Sequence, residues 1–486
     1  MAFSTPFLTA FGPLLFGRRR RSRLQELLLS DPQQRSLSQY QEAFGEFIPK
    51  TRLVSAASGK NSRERIYTPL VTFWAFLAQV LERDAPCRHA VRRIIAWWHF
   101  RKPTQMVPST STASYCVARA RLEESVLQQI GDDLSARLER NIPSEQLWHG
   151  RHVKIVDGTT VSMPDTAANQ AAWPQPRSQK PGCGFPLLKL AGLFSLASGA
   201  LLQSAHGSLR QHELALARQF WPSLETGDVL LADRGFCCYQ DLSALMARGV
   251  DAVMRLHQAR SRDFRRGIRL GPNDRLVLWS KPAKRPKKCT VEEYAAMPLT
   301  LTLRLIRFQV PVTGFRTKEV ILVTTLLDLE RYSVATLAEL YFERWTVELH
   351  FREIKTLLGL DILRCLSPQM ILKEMAMHRI AYNLVRALMQ RAAITHDVAL
   401  PRLSFKGTLD SLHHSANTIQ ACAGKPRCQA RLVRELLTMI AQDLLPLRPG
   451  RSEPRAKKRR AKNYHLLTKP RHAMKIPSHR NRPKFR

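Results

Sequence analysis

The sequence predicts a mixed α/β protein with a helical N-terminal region, an α/β middle and a helical, basic C-terminal region. Three observations predict it. Apolar residues recur at helical spacing through the first 149 residues. From 150 onward short apolar runs alternate with helical ones, in the order strand, strand, strand, helix, strand, helix, strand, which is an α/β layer pattern. A β-rich stretch at about 257–330 then interrupts the alternation before helical spacing resumes.

Within 1–149, RRRRSRLQELLLSD opens on four arginines at 18–21. IYTPLVTFWAFLAQVLER, RHAVRRIIAWWHF and TASYCVARARLEESVLQQIGDDLSARLER each carry helix-like spacing, the last after a Ser/Thr-rich N-cap region. Arg88, Arg92, Arg93, Arg119 and Arg121 fall on these segments, and fit either solvated helix faces or a DNA-binding domain. From 150, HVKIVDGTTVSMPD has a short apolar run expected to end at Asp157. LLKLAGLFSLASGALLQSAHGS reads as two strands around a Ser-Gly turn. QHELALARQFW reads as a helix, TGDVLLADRGF as a strand ending at Asp233, YQDLSALMARG as a helix and DAVMRL as a strand. RLVLW, LTLRLIRFQV and KEVILVTTLLD make the insertion β-rich, with the basic loop KPAKRPKK between the first two. KEMAMHRIAYNLVRALMQRAA and QARLVRELLTMIAQDLL return to helix. The expected organisation is a helical, DNA-binding domain at 1–149, a catalytic domain at 150–390, a helical region at 391–446 and a disordered basic tail at 447–486.

Charge narrows the partner. The chain has 486 residues and is 44% apolar, enough for a sizeable core, yet 76 Lys and Arg face 39 Asp and Glu for a net +37. A field of that sign fits a polyanion, because basic surfaces gain affinity by releasing phosphate counterions. The tail contributes +14 of this, so the folded part is basic in its own right. A membrane partner lacks a span: PLLKLAGLFSLASGALL (186–202) is short and contains Lys189 and two glycines. FLTAFGPLLF has its basic cluster on the wrong side for a secretory signal. Nine scattered cysteines suit reduced structural thiols. A soluble, cytoplasmic protein is expected.

The chemistry concentrates in YFERWTVELHFREIK. Tyr341, Arg344, Glu348 and Lys355 are spaced by three, four and seven residues. At about 100° per residue those steps put all four within an arc of roughly 60° on one helix. Asp157 and Asp233, each expected at a strand end where α/β folds gather functional groups, add two more carboxylates. Three gathered carboxylates repel one another unless hard cations neutralise them. Mg²⁺ takes a few carboxylate oxygens together with water and phosphate, and two such ions roughly 4 Å apart activate an attacking oxygen and stabilise a leaving one. Each residue also has a structural reading. Either aspartate suits a turn or helix cap, Glu348 between Arg344 and Arg352 suits a surface ion pair, and Tyr341 suits the core. A glycosidase could use two carboxylates, but Arg and Lys on the same face fit phosphate better than sugar.

These residues resemble the DDE transposases of bacterial insertion sequences, specifically the insertion-sequence-four type with its Tyr-(2)-Arg-(3)-Glu-(6)-Lys signature. VDGTT around Asp157, LLADRGF around Asp233 and the order Asp, Asp, β-rich insertion, Glu match as well, over about 150–390. The four-residue signature is specific, whereas DGTT or DRGF alone is weak. The resemblance implies an RNase H-like core and two Mg²⁺ ions, with Mn²⁺ able to substitute. It implies that Asp157 bridges both metals, that Asp233 and Glu348 each hold one, and that Arg344 and Lys355 grip phosphate beside Tyr341. Trp345 and Trp279 become candidates for stacking on a flipped base, against the structural reading that both are buried. The implied activity is cut-and-paste transposition: Mg-dependent cleavage and strand transfer at terminal inverted repeats by a homodimer, on double-stranded element and target DNA, in a bacterial nucleoid. The motif residues show no departure from the pattern, while the basic tail is not part of it. A stand-alone metal-dependent nuclease and a non-catalytic DNA-binding remnant are the alternatives.

Overall fold

The computed structural model describes residues 39–44, 47–48, 53, 66–101, 108–260, 263–310, 319–422, 425–447, 467–470 and 473–474. The arginines at 18–21 and nearly all of the tail lie outside them. The described residues group into two compact units. The first lies within Met1–Gln79, Ala85–Ala118 and Leu412–Leu436, and the second within Val80–Asp84, Arg119–Ser411 and Leu437–Arg486.

The first unit is built on helices. α1 (Pro69–Leu81) starts with proline at its first position, where a missing N–H costs nothing, and Thr68 Oγ1 accepts from the Val71 N–H. α2 (Cys87–Arg101) and α3 (Ala113–Arg121) follow. Phe73, Trp74, Phe76 and Leu77 of α1 and Val91 and Ile94 of α2 are buried. The run 113–140, expected as one helix, breaks after α3, and α4 (Glu124–Arg140) begins afresh in the second unit.

The second unit holds a single sheet of nine strands: β1 (Val153–Ser162), β2 (Leu187–Ser195), β3 (Leu201–Ser208), β4 (Val229–Ala232), β5 (Asp251–Arg255), β6 (Ile268–Gly271), β7 (Asp274–Ser280), β8 (Thr300–Gln309) and β9 (Glu319–Thr324). Their order is β3-β2-β1-β4-β5-β9-β8-β7-β6. β1, β4 and β5 are parallel, and every other pairing is antiparallel. β4 and the middle of β5 are wholly apolar and buried, as strands covered on both faces must be. The material at 257–330 forms strands inserted between β5 and the signature helices, and it does not make a separate sheet: β9 pairs directly with β5 and the inserted strands lengthen the same sheet.

α5 (Glu213–Ala217) follows β3, and α6 (Tyr239–Ala247) joins β4 to β5. The long α9 (Pro368–His396), which follows the signature helices described below, packs along α4 and against β3. Its buried polar groups serve the β2–β3 turn. Asn383 accepts from the Leu201 N–H at 2.9 Å and donates to the Leu201 carbonyl at 3.0 Å. Tyr382 donates to the Gly199 carbonyl at 2.7 Å, and the Arg386 guanidinium donates to the Ser198 carbonyl at 2.8 Å. Gly199 has φ +67°, which favours glycine, and a Cβ there would lie 1.9 Å from Arg386 Nη2, so another residue would also displace that guanidinium from the turn.

Candidate active site

The site begins where the sheet opens. β1 and β4 run in parallel register from Val153 beside Val229 to Val156 beside Ala232, and there β4 ends. β1 continues beside β2 as far as Ser162, where a bridge to Ile362 takes up its other edge. Asp157 therefore stands mid-strand rather than at the strand end expected from its apolar run. It is the first residue of β1 without a β4 neighbour, so its carboxylate meets a gap instead of a ladder. Asp233 follows β4 immediately, and the register sets it beside Asp157 across that gap. Asp233 caps the 3₁₀ turn Arg234–Phe236, its Oδ1 accepting from the Arg234 N–H at 2.7 Å.

The signature run docks on the same opening. It is not the one straight helix that its periodicity predicts. α7 (Val334–Glu343) ends, Arg344 and Trp345 form a tightened turn, α8 (Thr346–Arg352) follows, and Glu353–Leu357 is a π-helical turn. Around the turn the N–H groups of Arg344, Trp345, Val347 and Glu348 all donate three residues back, to Tyr341, Phe342, Arg344 and Trp345. Tightening at one end and widening at the other shift the phase of the stripe, so the four side chains do not share one environment.

Arg344 is 6% exposed and its Nη1 lies 3.6 Å from Asp157 Oδ2, while its Nε has no hydrogen-bond partner. The guanidinium also lies against the rings of Tyr341 and Trp345, 5.7 and 4.9 Å from their centroids. Tyr341 is buried, which pushes its phenol up to about 12; Asp233 adds to the rise, and Arg344 and Arg255 oppose it. Lys355 Nζ donates to Thr159 Oγ1 at 2.8 Å and to the Thr160 carbonyl at 3.0 Å, which ties the π turn to β1 two residues beyond Asp157. Glu348 lies on α8, a helix that packs on β1, and is exposed. Trp345 is half-buried beside Arg344. Trp279, on β7, instead joins the core under the sheet, its ring covered by the Arg260 guanidinium at 3.9 Å.

Electrostatically the opening is short of positive charge at Asp157. Burial pushes its carboxyl up to about 6, against the Gly158 N–H bond at 2.8 Å and Arg344, and the carboxylates of Glu213 and Asp233 push it further. Among the described residues no three acid, histidine or cysteine side chains already surround one point as a closed metal site would. Mg²⁺ does not need that cage, since one or two carboxylates with substrate phosphate and water suffice. A buried guanidinium with an idle Nε beside hard carboxylate oxygens is a donor set suited to a divalent ion and a phosphate together.

Two residues here escaped sequence reading, Glu213 of α5 and Arg255 at the end of β5. Neither sits in a motif. The one available signal for Glu213 was Gly158, a residue without a side chain immediately after the aspartate, which implies close approach by another group.

Residues 148–384 match the family of the transposase DDE domain. The chain carries a transposase DDE domain. The match opens just before β1 and closes within α9, so the DDE domain takes in the whole sheet and the signature helices. Transposase InsG for insertion sequence element IS4, from Escherichia coli (strain K12), is 27% identical over 414 residues, covering 84% of this chain and 89% of the relative. A cryo-EM structure of a piggyBac transposase synaptic complex with hairpin DNA covers 89% of this chain and 87% of its own. Its identity is 12% and its TM-score 0.40, a likeness too loose to build on. Among the described residues no helix is long and apolar enough to cross a membrane.

Proposed function

We propose that this chain is the transposase of an insertion sequence, cutting and rejoining double-stranded DNA at the element's terminal inverted repeats. The observation that carries the reading is the docking of the signature helices onto the opening beside β1, with the Arg344 guanidinium 3.6 Å from Asp157. That pairing unites the first carboxylate of the family motif with the phosphate-gripping cation of the last. The 3-2-1-4-5 strand order, with β1, β4 and β5 parallel and β2 antiparallel, supports an RNase H-like core.

In this reading Asp157, Asp233 and Glu348 hold the divalent ions, Mg²⁺ in the cell with Mn²⁺ as a substitute. When bound, such ions make water or a 3′-hydroxyl nucleophilic and stabilise the departing oxygen. Arg344 turns its idle Nε and fork toward a phosphate, and burial keeps that fork dry and strongly interacting. Tyr341 stays protonated across the physiological range and serves as a hydrogen-bond donor, since its phenol titrates only near 12. Lys355, held by Thr159 and Thr160 just beyond Asp157 on β1, sets a second cation for the DNA backbone. Trp345 extends the wall beside Arg344 and suits stacking on a displaced base. Trp279, already covered by Arg260, keeps a structural place. Water cleaves a P–O3′ bond to leave a 3′-hydroxyl, and that hydroxyl attacks a target phosphodiester and displaces its 3′-oxygen, with no covalent protein intermediate. The helices of 1–149 would bind repeat ends, two copies of the chain would pair the ends as a homodimer, and the tail would track DNA phosphates in the nucleoid.

The test is strand transfer. Glu348→Ala should abolish Mg²⁺-dependent cleavage of the element's ends while leaving end binding intact. The unmodified protein should join pre-cleaved ends to target DNA. Cleavage without joining would make the chain a nuclease, and binding without cleavage would make it a remnant.

A further inference from the structure

Gly158 follows Asp157 and leaves its face of β1 bare. A Cβ built there would lie 1.5 Å from Glu213 Oε1 and 2.5 Å from Glu213 Cδ, so the Glu213 carboxylate fills the space any other residue would need. The helix that carries Glu213 is held from three sides. Leu216 and Ala217 of α5 are buried in the core that contains Val156. α5 packs on β1, β2 and β3 and on the Arg234–Phe236 turn capped by Asp233. His212, preceding the helix, accepts through Nδ1 from the Leu214 N–H at 3.3 Å.

The result is a carboxylate pressed against backbone, half-buried, and without an ion pair among the described residues. Its helix has five residues, whose weak dipole is small compensation for that burial. Asp157 reaches the opening from one face of β1. Glu213 lies on the other, over the bare Cβ position of Gly158. Asp233 enters from the end of β4.

We infer that Glu213 is a fourth carboxylate of the cation site, and that Gly158 is glycine in order to admit it. This rests on the transposase reading above and adds a ligand to the three that the family motif supplies. Glu213 would hold the ion on the α5 side, directly or through a coordinated water, alongside Asp157.

The test reads ion binding apart from catalysis, by Mn²⁺ titration followed by electron paramagnetic resonance on the full chain without DNA and with a terminal-repeat duplex. Glu213→Gln keeps shape and removes charge. Gly158→Ala keeps the charge and displaces it. Each should weaken Mn²⁺ binding about 10–100-fold, the range seen when groups supporting a metal site are removed. The double variant should be no worse than the weaker single one, because both changes remove the same interaction. Wild-type Mn²⁺ affinity in Glu213→Gln would overturn the inference, as would a lowered cation-free melting temperature with unchanged affinity. Should the unmodified protein and Asp157→Asn bind Mn²⁺ equally poorly, the reading of the whole opening fails before the question of Glu213 arises.

Discussion

Asp157 occupies an expensive position. Its carboxyl is raised from 3.8 to about 6, chiefly by burial, so the folded protein holds that proton more tightly than the unfolded chain does. The sign follows: the group's contribution to stability is present below about pH 4 and is lost as pH rises through about 6. Asp157→Asn should therefore stabilise the cation-free protein by about 1–3 kcal/mol at pH 8 and by much less at pH 4. Urea unfolding in chelator at the two pH values checks this, and equal effects at both would refute it. The same variant should lose cleavage, because a divalent ion needs the ionised oxygen. Asp157 was legible in the sequence as an acid on an apolar run. Its mid-strand position was not, because where a strand loses one neighbour depends on the length of β4, 76 residues away.

Two elements carry the architecture of the site. The signature run was legible as helical because its side-chain spacing is helical. Its tightened turn at Arg344 and its π turn at Glu353–Leu357 were not, since a phase shift leaves the order of residue types unchanged. The second element is α9. Its interior is unusually polar for a buried helix, and the reason lies outside it, in the backbone of the β2–β3 turn. Asn383 satisfies both the N–H and the carbonyl of Leu201 with 0% exposure. Asn383→Ala should cost about 1–3 kcal/mol, because the buried Leu201 N–H loses its partner while the carbonyl keeps Arg379 Nε at 3.3 Å. A shift in the urea midpoint measures it, and a loss below about 0.5 kcal/mol would show that the turn finds other partners.

At the scale of the whole molecule, charge dominates. With +37 on the chain and +14 of it beyond residue 446, affinity for DNA should fall steeply with salt. Each phosphate neutralised contributes about −0.9 to the slope of log K against log salt. Removing 447–486 should make that slope shallower by at least about two units on non-specific duplex, measured by fluorescence anisotropy, while cleavage chemistry at pre-bound ends persists. An unchanged slope would mean that the tail does not touch DNA. What the sequence determined by itself is what local pattern and composition can encode: an α/β core, a β-rich stretch after DAVMRL, a strongly basic charge balance, and which acids and cations the family signature singles out. Only the tertiary structure decided that the β-rich stretch joins β5 in one sheet, that Arg344 is buried against Asp157, and that Glu213 comes to rest on Gly158. Those are contacts between residues 55 to 187 positions apart. Spacing along a chain reports which face a side chain takes on its own element, whereas the register and packing of distant elements decide what that face meets.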